Sequence, residues 1–335
     1  MLKVKKYIVL SGVMLVLFFI SAYIIVNYLK KENVSKNRVT LACYRGGSAA
    51  LIYIAKQAGL FEKNGIEVII KNYPAGKYAA DSLVADNADI AVASDSTFVA
   101  NSFKYRDLKV LAVISEGITR KIIARKDHGI KEPTDLKGKR AALVKGSADE
   151  YYLRHFLPLY DLKFSDIKIV NLKPDQIISD FIAGKIDAGI IRGLNSCQKE
   201  NEIINKGVVW DPQCHKPFYF LLIAKTKWIH DHPRSASDFI KALLQAEKII
   251  AKDSNRLPIF FKKNLNYQDD CIKKALERSS YYVYLPQALL FEFENQAFWR
   301  IENQLTKEKK VPNYLNFIYP YALDAANPQR VNLIR

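Results

Sequence analysis

Short apolar runs alternate with longer amphipathic stretches through most of the chain, and many of the runs end in turns that carry Gly, Ser or Asp. Residues 39–44 read as a strand, Arg45 to Ser48 as a glycine-containing turn, and residues 49–58 as a helix with Leu51, Ile52 and Ile54 on its apolar face. Gly59 closes that helix. Residues 66–71 form a second expected strand, followed by a loop with Pro74 and Gly76 and a helix over 78–84. A third strand at 90–93 runs into Ser94, Asp95, Ser96 and Thr97, a cluster suited to cap a helix that continues to Phe103. A fourth strand follows at 108–114. Strands alternating with helices predict a parallel α/β sheet, in which ligands bind beyond the carboxyl ends of the strands.

The same alternation then starts again. Residues 122–125 are a short apolar run, and residues 140–144 predict a strand, with Lys145, Gly146 and Ser147 as a turn and an amphipathic helix through Phe156. Such a turn exposes backbone N–H groups at the positive end of a helix dipole, where a small anion can be held without any catalytic residue. The plainer reading makes Ser147 only a helix cap. A strand at 167–171, a helix at 174–183 and a strand at 188–191 ending at Arg192 and Gly193 complete a second sheet. Residues 217–225, rich in aromatics, read as a strand leading back to the first lobe, and the chain beyond Pro233 is mainly helical.

Residues 7–29 break the pattern, being almost wholly apolar and long enough to cross a hydrocarbon core of roughly 30 Å. Lys3, Lys5 and Lys6 before the run favour a cytoplasmic N-terminus, and Lys30 and Lys31 weaken that bias. We read residues 1–31 as an uncleaved signal anchor and 32–38 as a linker, with cleavage after Ala22 as the alternative. Either route exports the remainder, and the anchored form faces the periplasm or the extracellular side. Cys43 follows Leu41 and Ala42, but a charged segment separates it from the apolar run and argues against lipidation there.

The 335 residues suffice for two lobes with real cores. A net charge of +17 attracts anions and acidic lipids, yet the lysines are scattered and no nucleic-acid-binding motif is present, so nucleic acid is not expected as a partner. Cys43, Cys197, Cys214 and Cys271 include no C-x-x-C pair, which argues against zinc. In an oxidising compartment they can pair, and Cys197 with Cys214, which would close a short loop, is the candidate disulfide. His230 and His232 precede Pro233 and fit a helix-entry loop better than a metal site. No P-loop, G-x-G-x-x-G or G-x-S-x-G occurs, so neither enzyme activity nor a cofactor is expected.

Six phrases, in order, resemble the solute-binding components of ABC importers for nitrate, sulfonates, taurine and thiamine precursors. They are AALIYIAKQAGLFEKNGIEVII (49–70), NADIAVAS (87–94), GIKEPTDLKGKRAALVKGS (129–147), AGKIDAGII (183–191), HPRSASDFIKAL (232–243) and NPQRV (327–331). The resemblance implies a type II periplasmic-binding-protein-like α/β fold. One lobe would comprise 39–121 and 226–335, the other 122–225 including the hinge strands, with 122–125 and 220–225 crossing between them. It places ligand contacts in turns that here hold Tyr44, Arg45 and Ser48; Ser94, Asp95 and Ser96; Lys145, Gly146 and Ser147; and Arg192, with Tyr219 closing the cleft. No catalytic residue is implied.

Where many sulfonate-binding members carry a Trp-Asp-Pro type of turn, this chain has Arg192, Gly193 and Leu194, and a guanidinium there can grip a carboxylate, sulfonate or phosphate. Asp95 would repel an anion, so either it turns aside to cap its helix or the ligand also carries a cation. Taken with the apolar run 7–29, the resemblance implies a monomeric, membrane-anchored or exported extracytoplasmic binding protein that captures a small anionic or zwitterionic solute for an ABC permease and its ATPase. The alternatives are a thiamine-pyrimidine precursor binder or synthase-like protein, and a membrane-tethered solute sensor.

Overall fold

The computed structural model describes residues 20–23, 37–44, 46–192, 196–213 and 217–334. The chain builds strands β1 (Arg38–Tyr44), β2 (Glu67–Tyr73), β3 (Ile90–Ser94) and β4 (Leu108–Gly117), and then leaves for a second sheet. That sheet contains β5 (Arg120–Arg125), β6 (Arg140–Leu143), β7 (Lys168–Asn171), β8 (Ala188–Arg192) and β9 (Gly207–Trp210). The chain returns as β10 (Phe218–Lys225) and β11 (Ser279–Ser280). Strand orders are β11-β4-β10-β3-β1-β2 and β7-β6-β8-β5-β9, and β12 (Leu285–Pro286) with β13 (Val331–Asn332) forms a small ribbon.

Every residue of β3 and β8 is buried, as expected for strands covered on both faces. Helices cover the first sheet and share one core with it, including Phe61, Phe98, Phe239 and Phe293. The second lobe has two smaller clusters, one around Leu143 and Phe156 and one around Ile177 and Phe181.

The sheets are mixed rather than purely parallel. β1 pairs parallel with β2 and β3, whereas β10 runs antiparallel between β3 and β4. The direction follows from connectivity: β10 enters from the other lobe, at the cleft end of the sheet, and must run away from the cleft that β3 approaches. For the same reason β5 starts at the cleft, where Arg120 is in register with Arg192 at the end of β8.

This topology moves the expected hinge. The segments 122–125 and 220–225 lie inside sheets, paired on both sides, because their apolar residues need cover on both faces. The crossings are residues 118–119 and the link from β9 to β10, of which 211–213 and 217 are described, and β10 belongs to the first lobe. Buried Gln213 clasps them: its Oε1 accepts from the N–H groups of Thr119 and Arg120 at 2.8 and 2.7 Å, and its Nε2 donates to the Gly117 carbonyl at 3.3 Å.

The expected Cys197–Cys214 pairing is also corrected. Cys197 is bonded to Cys271, 74 residues away, with Cα atoms 5.7 Å apart, because the helix Asp269–Glu277 brings Cys271 against the start of the segment after β8. Cys214 lies outside the described residues. Cys43 is a free thiol buried in β1, pushed up to about 11 by burial. Among the described residues no helix is long and apolar enough to cross a membrane; the apolar run 7–29 lies outside them apart from 20–23, which are helical.

Candidate ligand-binding site

Four helix beginnings converge on the cleft between the sheets. They follow the carboxyl ends of β1, β2, β3 and β6: the turn Gly47–Ala49 ahead of Ala50–Gln57, and the helices Gly76–Val84, Asp95–Ser102 and Ala148–Phe156. Each contributes the positive end of its dipole, although the N–H groups of Ser96, Thr97 and Asp149 are already taken by the side chains of Asp95, Ser94 and Ser147. The cavity they surround measures about 60 Å³. Hydroxyls of Ser48, Ser94, Ser115 and Ser147 come from both lobes, and Phe220 stands in register between Ser94 and Ser115. Two glycines make the close approach possible. A methyl group on Gly76 would meet the Ala93 Cα at 3.2 Å, and Gly146, at φ +74°, sits where a side chain would press on Lys77 from the opposite lobe.

The charged centre of the site is a buried triad. Asp149, in the first turn of its helix, accepts from Arg120 Nε at 3.2 Å and from Arg192 Nη2 at 3.1 Å. All three side chains are at least nine-tenths buried. Arg120 also lies over the Phe218 ring at 4.1 Å and Arg192 over the Tyr44 ring at 5.7 Å. Burial alone would raise the Asp149 carboxyl, but the two guanidiniums outweigh it and hold Asp149 below its ordinary value. Burial pushes Arg120 down, while Asp149 overcomes burial at Arg192 and pushes it up. Guanidinium stays protonated throughout the physiological range, so the triad carries one net positive charge. Arg192 Nε and Ser48 Oγ are buried and have no hydrogen-bond partner among the described residues. A buried donor left in that state costs about 1–3 kcal/mol, which an anion seated in the cleft would relieve.

Of the expected contacts, Tyr44, Ser48, Ser94, Ser147 and Arg192 line the cleft. Arg45 lies outside the described residues. Lys145 and Gly146 are turned away from it: their N–H groups donate to Asn171 Oδ1 and Glu150 Oε2, and Lys145 is exposed. Ser96 is fully buried, with its hydroxyl on Ser94 and its carbonyl accepting from Arg300. Tyr219 does not line the cleft, because strand alternation puts Phe220 there instead.

Asp95 resolves in favour of turning aside. Its carboxylate accepts from the N–H of Ser96 at 2.6 Å and of Tyr219 at 3.2 Å, behind the cleft wall, and Ser94 caps the helix. Burial and nearby Glu292 push Asp95 up to about 7, against the pull of the Tyr219 and Ser96 N–H groups and the Gln296 side chain. A carboxyl raised on folding makes the native state bind more protons between about pH 4 and 7, so stability falls as pH rises through that window. Asp95→Asn is expected to flatten that fall, which is on the order of 2 kcal/mol, in urea titrations at pH 4.5 and 7.5. Equal slopes in both proteins would exclude Asp95 as the cause.

Sequence reasoning missed Arg120, Lys77, Thr97, Glu116, Ser279 and Tyr281, all of which line the cleft. Arg120 opens β5 at the lobe crossing, and only its register with Arg192 exposes its role. Glu116 is also on the cleft wall, but its carboxylate accepts from the Tyr282 and Tyr284 hydroxyls at 2.5 and 2.9 Å, on the face of β4 that it shares with Tyr219. Among the described residues, no group of three or more His, Cys, Asp and Glu side chains is arranged to hold a metal ion.

The family profile described as NMT1/THI5 like matches residues 47–256, well over half of the chain. The chain belongs to the NMT1/THI5-like family. Among family relatives, a Bacillus subtilis (strain 168) protein named "Putative aliphatic sulfonates-binding protein" is 28% identical over 208 residues, 59% of this chain and 61% of that protein. The taurine-binding periplasmic protein of Escherichia coli (strain K12) is 23% identical over 205 residues, 60% of this chain and 63% of its own. The chain thus matches about three-fifths of the length of these curated relatives. The alkanesulfonate-binding protein SsuA of Xanthomonas axonopodis pv. citri, solved with MOPS bound, superposes with a TM-score of 0.72 over 85% of this chain and 98% of that one. At 17% identity that likeness establishes the two-lobed fold.

Proposed function

We propose that this NMT1/THI5-like protein is the extracytoplasmic solute-binding component of an ABC importer, capturing a small organic anion of the sulfonate type. The observation that carries the reading is the pair of buried, unpartnered groups in the cleft, Arg192 Nε and Ser48 Oγ, beside a triad with one surplus positive charge. Four helix N-termini add to that field. Zwitterions whose anionic end reaches the same groups fall within the class. The relatives' names, sulfonate-binding and taurine-binding, agree with this chemistry.

The mechanism is capture by closure. The anion docks on the helix N-termini and Arg192, the lobes rotate about the crossings at 118–119 and between β9 and β10, and the closed form is presented to a permease driven by its ATPase. The apolar run 7–29 keeps the protein, a monomer, at the membrane with its lobes outside the cytoplasm.

Thermal unfolding of the full chain in detergent, screened against taurine, alkanesulfonates, nitrate, carboxylates and thiamine pyrimidines, tests the reading. A true ligand at a hundred times its Kd adds about 2.7 kcal/mol and raises the midpoint by roughly 5–10 °C. A rise with sulfonates or taurine supports the proposal. A response confined to the pyrimidines, or none at all, overturns it.

A further inference from the structure

Two peptide crossings join the lobes, and the disulfide adds a third covalent connection. Cys271 is buried on the helix Asp269–Glu277, whose Ile272 belongs to the core of the first lobe. Cys197 belongs to the second-lobe segment that leaves β8 directly after Arg192, and in that segment the Ser196 hydroxyl donates to the Arg192 carbonyl at 3.2 Å. The same segment is tied to the first lobe twice more, by the Lys274–Glu200 ion pair and by Gln198 Nε2 donating to the Asn266 carbonyl.

We propose that the Cys197–Cys271 bond is a cross-lobe strap that limits rotation of one lobe against the other and keeps Arg192 close to the first lobe when the cleft is empty. Two crossings clasped by Gln213 define an axis, and rotation about it is the motion that opens the cleft. A third link restrains that rotation only if it stands away from the axis. Here Ile118 and Thr119 of the first crossing line a cavity of about 410 Å³ together with Cys197 and Cys271, so the bond does not lie on the crossing itself. A disulfide holds its Cα atoms within roughly 4.4–6.8 Å, so the two segments cannot part by more than a fraction of their present 5.7 Å. The strap thus narrows the empty ensemble towards the closed form. A binding-competent state that is already populated lowers the apparent Kd in proportion to its population.

The experiment compares the full chain in detergent with its Cys197→Ser/Cys271→Ser variant by pulsed spin-label distance measurement. Labels are attached through azido side chains at exposed Lys63 in the first lobe and Leu159 in the second. Without any ligand, the distance distribution of the variant is expected to be about twice as wide, with a shifted mean, because minor open states become populated. Methanesulfonate, used as the probe, is expected to bind the variant about tenfold more weakly. The distance measurement needs no ligand, so a failure of the sulfonate reading leaves it intact. An unchanged distribution overturns the strap. If the double variant is unfolded by circular dichroism, the same distances are read on the native chain after dithiothreitol has reduced the bond to two thiols, itself becoming the cyclic disulfide. The same two outcomes then decide.

Discussion

Arg192→Ala is expected to weaken binding of a sulfonate or taurine by between roughly tenfold and a few hundredfold, since a charge-assisted contact to a buried guanidinium contributes about 1.5–3 kcal/mol or more. Folding should suffer little. Asp149 keeps its 3.2 Å bond to Arg120 Nε, so the substitution leaves one compensated ion pair instead of two cations on one carboxylate. Arg192→Lys restores the charge but not the planar fork, and recovers only part of the affinity. Calorimetric titration of the wild type and both variants with the same ligand checks this. Equal affinities in all three would remove Arg192 from the site.

The opposite balance holds at Asp149. Asp149→Ala strands two guanidiniums that are both at least nine-tenths buried and already close enough for Arg192 to help push Arg120 down. Removing one partner of a buried charge network costs about 3–5 kcal/mol, enough to lower the melting midpoint by roughly 5–8 °C in a chain of this size. A bound sulfonate supplies a replacement negative charge, so saturating ligand should restore more stability to the variant than it adds to the wild type. A loss below about 1 kcal/mol in urea unfolding would show that the carboxylate does not hold the triad together. The pH dependence has a definite sign. A carboxyl held below its ordinary value contributes stability above about pH 4, and that contribution is lost only as the pH falls through the depressed native value. Asp95 has the reverse sign, its contribution weakening as pH rises towards 7.

The two substitutions separate affinity from stability because the triad has a surplus cation. Arg192 faces the cavity with an unpartnered Nε, whereas Asp149 faces only the two arginines.

The alternation of apolar runs with amphipathic stretches determined most of the secondary structure, because strands at β1, β2, β3, β6 and β8 are short, apolar and closed by turn residues that a local pattern exposes. Ser48, Ser94, Ser147 and Arg192, which the family resemblance placed in turns at strand ends, line the cleft. The apolar run 7–29 was likewise legible from composition alone. The tertiary structure decided what depends on partners distant in sequence. β10 runs antiparallel because it returns from the other lobe, and this moved the hinge to 118–119 and the link from β9 to β10. Arg120 joined the site through cross-strand register with Arg192, Phe220 replaced Tyr219 through strand alternation, and Asp95 turned inward onto the Tyr219 N–H. Cys197 found Cys271 rather than nearby Cys214. Period and turn chemistry are properties of a few neighbouring residues, and sequence carries them directly; register, lobe crossing and disulfide partner are set by which surfaces the folded chain brings together.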